Sequence, residues 1–248
     1  MEEAHHAAGM QDERSAVITG GGRGLGRALA IALGARDWRV VLVARTATEL
    51  EETARRIRAA GGEAHVVVAD VGELRDVPRI AALTTGAVGD VDLVVHAASD
   101  LGPVPMPLLA DTDPLALRRV LDVNVVGPFA LTRALLPGML LGRGGTVVQV
   151  SSDAAVEAYP TWGAYSASKA AGDHLVRIWA AELAEVGVRF FAVDPGEMNT
   201  RMHADALPDA DPATLADPTD VAARVVAMIE GSVPSGQRIV AAQWEADR

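Results

Sequence analysis

The sequence predicts an α/β fold: one open, doubly wound parallel sheet with helices on both faces. Three observations predict it. Apolar runs of strand length alternate with helical patterns from one end of the chain to the other, the order that builds β-α-β units. The run at 38–44 reads as a continuous apolar strand, as strands covered on both faces do. A glycine-rich turn, Gly20-Gly21-Gly22-Arg23-Gly24-Leu25-Gly26, joins the first such run to the first helical pattern. The 248 residues are 50% hydrophobic and 22% charged, which suits one large core. A single domain over 15–248 is therefore expected, after a flexible N-terminal segment at 1–14.

Taken in order, 15–19 is a short apolar strand ending at Thr19, and the glycine turn leads into a helix at 27–35. Glycines permit positive φ and close approach of the backbone, and a helix N-terminus offers unpaired N–H groups to a pyrophosphate. The second strand, 38–44, ends at Ala44-Arg45. A carboxylate at this point would hold a ribose 2′-hydroxyl; none stands there, whereas Arg45 and Arg23 can pair with a 2′-phosphate, so NADP(H) is the expected cofactor. A helix at 49–60 stops at Gly61-Gly62. The third strand, 64–70, places Asp70 at its carboxyl end, where ligands of open α/β sheets lie.

A helix at 73–85 and a fourth strand at 91–96 follow, then the proline-rich loop 101–107, which cannot be regular structure. A long helix starts at Asp113-Pro114 and runs to 141. Within it Pro128 has no N–H for the Asn124 carbonyl four residues earlier, so that carbonyl is expected to lose its helical partner. The fifth strand is 144–151, followed by a helix at 163–186 and a sixth strand at 188–194. Residues 201–217 are polar and contain prolines, and read as a mobile lid. A last helix at 217–231 and a short strand at 238–242 complete the pattern.

Composition excludes several functions. A net charge of −11 and a pI near 5.0 argue against a nucleic-acid partner. No continuous apolar run reaches the ~18 residues of a membrane span, and the acidic, histidine-containing start has no secretory pattern, so a cytoplasmic protein is expected. There are no cysteines to form disulfides. His5-His6 has no spaced partner, so no metal is expected.

The stretch from Ser152 to Lys169 carries the chemistry. Tyr165 and Lys169 are four residues apart, on one face of a helix. An ammonium beside a phenol favours the phenolate, so Lys169 is expected to lower the Tyr165 pKa and make the phenol a usable acid or base. Ser152, at the end of the fifth strand, can orient a substrate oxygen.

These residues resemble those of the short-chain dehydrogenase/reductase family in its compact single-domain, Rossmann-type form, over nearly all of 15–242. The carrying motifs are Thr19-Gly20-x-x-x-Gly24-x-Gly26, Asp70, Asn124, Ser152 with Tyr165 and Lys169, and Pro195-Gly196 with Thr200. The resemblance implies a catalytic tetrad of Asn124, Ser152, Tyr165 and Lys169. Tyr165 would protonate a carbonyl oxygen as hydride arrives, Ser152 would hydrogen-bond that oxygen, Lys169 would hold the ribose, and the Asn124 backbone carbonyl would hold a relay water. It implies cofactor contacts from the glycine turn (Thr19, Gly20, Gly22, Arg23, Gly24, Leu25 and Gly26), from Ala44 and Arg45, from Asp70 and Val71, and from Ala97. Pro195, Gly196 and Thr200 would meet the nicotinamide end, beside Tyr165 and Lys169.

Two departures stand out. After the fourth strand the chain reads His96-Ala97-Ala98-Ser99 where the family has Asn-Asn-Ala-Gly, and Gly-Gly is missing after the last strand. His96 either takes over the asparagine's structural hydrogen bonds or faces the site as an extra acid or base. The substrate pocket is expected to be walled by the loop 100–107 with Ser99, by Tyr159 and Trp162, and by Met198, Met202 and His203 after Pro195, which suits an apolar substrate with a carbonyl end. The expected activity is NADPH-dependent reduction of a ketone. Oxidation of an alcohol, epimerisation, or cofactor sensing without turnover are the alternatives. The family's shared helical contact implies a homodimer or homotetramer through the helices carrying Asn124 and Tyr165.

Overall fold

The computed structural model describes residues 14–245; the N-terminal segment, with His5 and His6, lies outside the described residues. Seven parallel strands run in the order β3-β2-β1-β4-β5-β6-β7. The strands are β1 (Ser15–Thr19), β2 (Arg39–Ala44), β3 (Ala64–Val68), β4 (Leu93–His96), β5 (Gly145–Val150), β6 (Val188–Asp194) and β7 (Arg238–Val240). Alternating side chains feed two cores. Ile18, Leu42, Val95 and Phe191 meet helices α1 (Gly24–Gly34), α2 (Ala47–Ala59) and α8 (Pro218–Glu230) on one face. Val17, Val41, Val94 and Phe190 meet α3 (Val77–Val88), α5 (Gly127–Leu141) and α6 (Gly163–Glu182) on the other. The doubly wound parallel sheet expected from the sequence is thus present. Its order reverses between β1 and β4, which opens a crevice at their carboxyl ends.

Three elements depart from expectation. The segment 113–141 is not one α-helix broken at Pro128. Helix α4 (Pro114–Leu121) passes into a π-helical turn at Asp122–Val126, where the Gly127 N–H donates to the Asp122 carbonyl, and α5 resumes with Pro128 in its first turn. Because α5 continues directly from the π turn, the missing N–H of Pro128 leaves the Asn124 carbonyl without the donor that an α-helix would supply four residues on. By length and composition Pro114–Leu141 could cross a membrane. Here its inner residues Val120, Val123, Leu131, Leu135 and Met139 are buried in the protein.

The supposedly mobile segment 201–217 contains a helix, α7 (Arg201–Ala206), capped by the Thr200 hydroxyl, which accepts from the His203 N–H at 3.2 Å. A 3-10 turn at Pro212–Thr214 follows. Helix α6 stops at Glu182, short of 186.

Candidate active site

A cleft of about 780 Å³ runs along the carboxyl ends of the strands. At one end lies the glycine turn. Gly20 has φ +71°, and a Cβ on it would stand 2.7 Å from the Ala98 nitrogen. A Cβ on Gly26 would collide with the Gly20 carbonyl. The turn therefore packs against the segment after β4 only as glycine, and it delivers the N-terminus of α1 to the cleft. Arg27 Nε donates to the Gly22 carbonyl at 2.8 Å and braces the turn. That cradle, with unpaired helix N–H groups facing the cleft, fits the pyrophosphate of a dinucleotide.

Beyond it, Arg23, Arg45 and Arg56 line the wall together with the carboxylates Glu49 and Asp70. Asp70 is held by Arg119, whose Nη2 is 2.6 Å from its Oδ2, and by its own contact with the Gly72 N–H at 2.9 Å. Arg45 Nη1 lies 3.9 Å from the same carboxylate.

At the other end, Tyr165 and Lys169 project from one face of α6, with 7% and 3% exposure. The Lys169 ammonium donates to the Val150 carbonyl at 2.8 Å and stands 5.4 Å from the centre of the Tyr165 ring. Burial pushes Lys169 down to about 8, against the opposing pull of the Asp173 carboxylate. Tyr165 goes the other way from the expectation. Burial pushes its phenol up to about 12, with nearby Ser152 and Ser99 hydroxyls drawing it down and the Asp153 and Asp194 charges adding to the rise. Desolvation outweighs any help from Lys169, and the phenol keeps its proton at neutral pH.

Ser152 accepts from the Ala154 N–H at 3.2 Å and donates to Asp153 Oδ1 at 2.8 Å; the Tyr159 hydroxyl donates to Asp153 Oδ2 at 2.9 Å. Trp162 packs edge-on against both Tyr159 and Tyr165.

Residues 14–211 match the family profile described as short chain dehydrogenase. The chain belongs to the short chain dehydrogenase family. An uncharacterized oxidoreductase of Mycobacterium tuberculosis is 35% identical over 247 residues, covering 95% of this chain and 91% of its own. Among solved structures, a variant of actinorhodin polyketide ketoreductase with NADPH superposes with a TM-score of 0.85 at 26% identity, over 93% of this chain and 96% of that one. A 7α-hydroxysteroid dehydrogenase complexed with NADH and 7-oxo glycochenodeoxycholic acid gives 0.84 at 27% identity, over 92% of each chain.

In this short-chain dehydrogenase the cleft gathers most of the residues singled out in the sequence. Ser152, Tyr165 and Lys169 lie on its wall with the glycine turn, Ala44, Arg45, Asp70, Val71, Ala97, Pro195, Gly196 and Thr200. So do Ser99, Tyr159, Trp162, Met198, Met202 and His203. Two residues stand behind the wall. The Thr19 hydroxyl accepts from the Ala98 N–H at 3.2 Å. The Asn124 side chain accepts from the Asp100 N–H at 2.7 Å and donates to the Asp100 carbonyl at 2.9 Å and to Ser168 Oγ at 2.8 Å, tying the post-β4 loop to α6.

His96 does not face the cleft. It is buried beside a separate cavity of about 20 Å³, with Nε2 2.8 Å from Thr132 Oγ1, and burial holds its pKa down to about 3, so the ring is neutral. His96 is thus a buried structural residue bonded to Thr132, and a role as acid or base in the site does not hold.

Sequence reading missed Asp153, Arg119 and a buried ion-pair cluster of Asp173, Asp194 and Arg238. Asp173 carried a readable signal, being four residues beyond Lys169 on the same helical face. Arg238 carried none, since its partners come from elsewhere in the fold.

Proposed function

We propose that this chain is an NADPH-dependent ketoreductase. The observation that carries the reading is the convergence of the Ser152 hydroxyl, the buried Tyr165 phenol and the Lys169 ammonium at one end of a cleft whose other end is the glycine cradle. A nicotinamide cofactor bound along the cleft would supply hydride. Tyr165, which retains its proton at neutral pH, then serves as the acid that protonates the carbonyl oxygen. Ser152 turns its hydroxyl from Asp153 to the substrate oxygen, and Lys169 places positive charge beneath the ring as negative charge develops above it. Tyr159, Trp162, Met198 and Met202 form the apolar part of the wall, which suits a hydrophobic ketone.

The preference for NADPH rests on the end of β2. Arg23 and Arg45 line the cleft there, and Ala44 puts no carboxylate at the strand end itself to repel a 2′-phosphate. The test is the dissociation constant of each cofactor, followed by NADPH consumption against a panel of ketones. Wild type is expected to bind NADPH at least ~10-fold tighter than NADH, as loss of one charge-assisted contact of about 1.5 kcal/mol implies. The Ala44→Asp/Arg45→Ile pair should move that ratio toward NADH. Equal affinities in wild type, or no shift in the variant, would remove the NADPH reading. Tight binding with no turnover on carbonyls or alcohols would leave a cofactor sensor.

A further inference from the structure

Beneath the Ser152 end of the cleft lies a buried cluster of charges contributed by three elements. Arg238, on the terminal strand β7, has a side chain only 14% exposed. Its Nη2 donates to the Ser152 backbone carbonyl at 2.8 Å and to Asp194 Oδ2 at 2.9 Å. Its Nε stands 3.1 Å from Asp173 Oδ2 as an ion pair. Both carboxylates are 7% exposed. Each in turn holds a piece of the site. Asp173, one turn beyond Lys169 on α6, accepts from Ser151 Oγ at 2.7 Å. Asp194 accepts the Gly196 N–H at 3.0 Å through Oδ1 and so fixes the Pro195-Gly196 turn that leads to α7.

We propose that Arg238 is a positioning residue of this site: one guanidinium locks the Ser152 backbone, the Gly196 turn and the Lys169-bearing face of α6 into a single arrangement. A neutral side chain could not do this. Buried carboxylates are tolerated only when paired, and the guanidinium donates through Nη2 to a carbonyl and one acid while its charge pairs with a second acid through Nε. Burial raises the Asp173 pKa above its ordinary value, and Ser151, Arg238, Lys169 and Arg177 pull against that rise. Ser152 and Gly196 both line the cleft. Among the described residues, the side-chain contacts of Arg238 are with Ser152, Asp194 and Asp173, and none is with Arg23, Arg45 or Asp70.

The inference rests on the reading that the cleft takes a nicotinamide dinucleotide, and the test separates the two. Binding of NADPH and of its adenine-side fragment 2′,5′-ADP is measured for wild type, R238K and R238M, together with kcat on a ketone that wild type reduces. R238M is expected to bind 2′,5′-ADP like wild type, to bind NADPH about fivefold more weakly and to lose about tenfold or more in kcat, the scale of a small misplacement of reacting groups. R238K should recover part of both losses. Should R238M not fold, the R238Q/D173N pair, which removes one charge of each sign, carries the same comparison. Wild-type values of NADPH affinity and kcat in folded protein, with only a lower melting temperature, would overturn the proposal. If wild type binds NADH instead, NADH and ADP-ribose replace the two ligands, and only the cofactor reading falls. If wild type turns nothing over, the split between dinucleotide and fragment still decides the role of Arg238.

Discussion

His96 is neutral and buried, with its Nε2 engaged by Thr132 and its Nδ1 without a protein partner. Its pKa falls from 6.5 to about 3 on folding, so protonation favours the unfolded chain. The stability it permits is present above pH 6.5 and is lost as pH falls from there toward 3. At pH 5 the loss is about 2 kcal/mol relative to neutral pH. His96→Asn should lack this term, and urea unfolding at the two pH values should show a smaller drop than in wild type. Identical drops would mean that His96 is hydrated or paired in solution. At this scale Tyr165, Lys169 and Ser152 were legible because their spacing needs only a helix and a strand end. The height of the Tyr165 pKa was not legible, because it depends on how completely α6 and the Ser99 segment enclose the ring. Asp153 was also hidden, since nothing in the order of residues shows that Tyr159 folds back onto it.

The helix that carries Asn124 changes pitch where it approaches the site. A π-helical turn at Asp122–Val126 precedes Pro128, and such turns gather at functional positions. Pro128→Ala would put an N–H four residues beyond the Asn124 carbonyl and favour regular α-pairing there. Stability should rise, by no more than the ~3 kcal/mol cost of an interior proline. Turnover should fall with cofactor affinity unchanged. Wild-type kcat in Pro128→Ala would show that the turn does not serve the reaction. Strands were readable from apolar runs to within a residue or two. The π turn was not, since a single wider turn is too short to leave a periodicity of its own in the sequence. Helix α7 was hidden because six residues with one cap leave too short a pattern to read.

For the whole molecule, the two long helices divide their apolar residues between core and surface. Leu131 and Leu135 are buried against the sheet, so the chain itself covers them. Phe129, Leu140 and Ile178 remain exposed, with Phe129 stacked on Trp179 at 5.7 Å. An apolar strip on adjacent helices calls for cover, and a second copy of the chain is expected to supply it. Light scattering at micromolar concentration should give a dimer or tetramer, and Phe129→Glu should shift it toward monomer; a wild-type monomer would contradict this. The central claim concerns the cleft rather than the assembly, and it is that Tyr165 delivers the proton in a carbonyl reduction. Its most direct measurement is a single-turnover comparison of wild type and Tyr165→Phe, each loaded with NADPH and mixed with a ketone that wild type reduces. The account predicts unchanged NADPH binding in Tyr165→Phe and a rate at least ~100-fold lower, the scale of a lost general acid. NADPH consumption at the wild-type rate would contradict it.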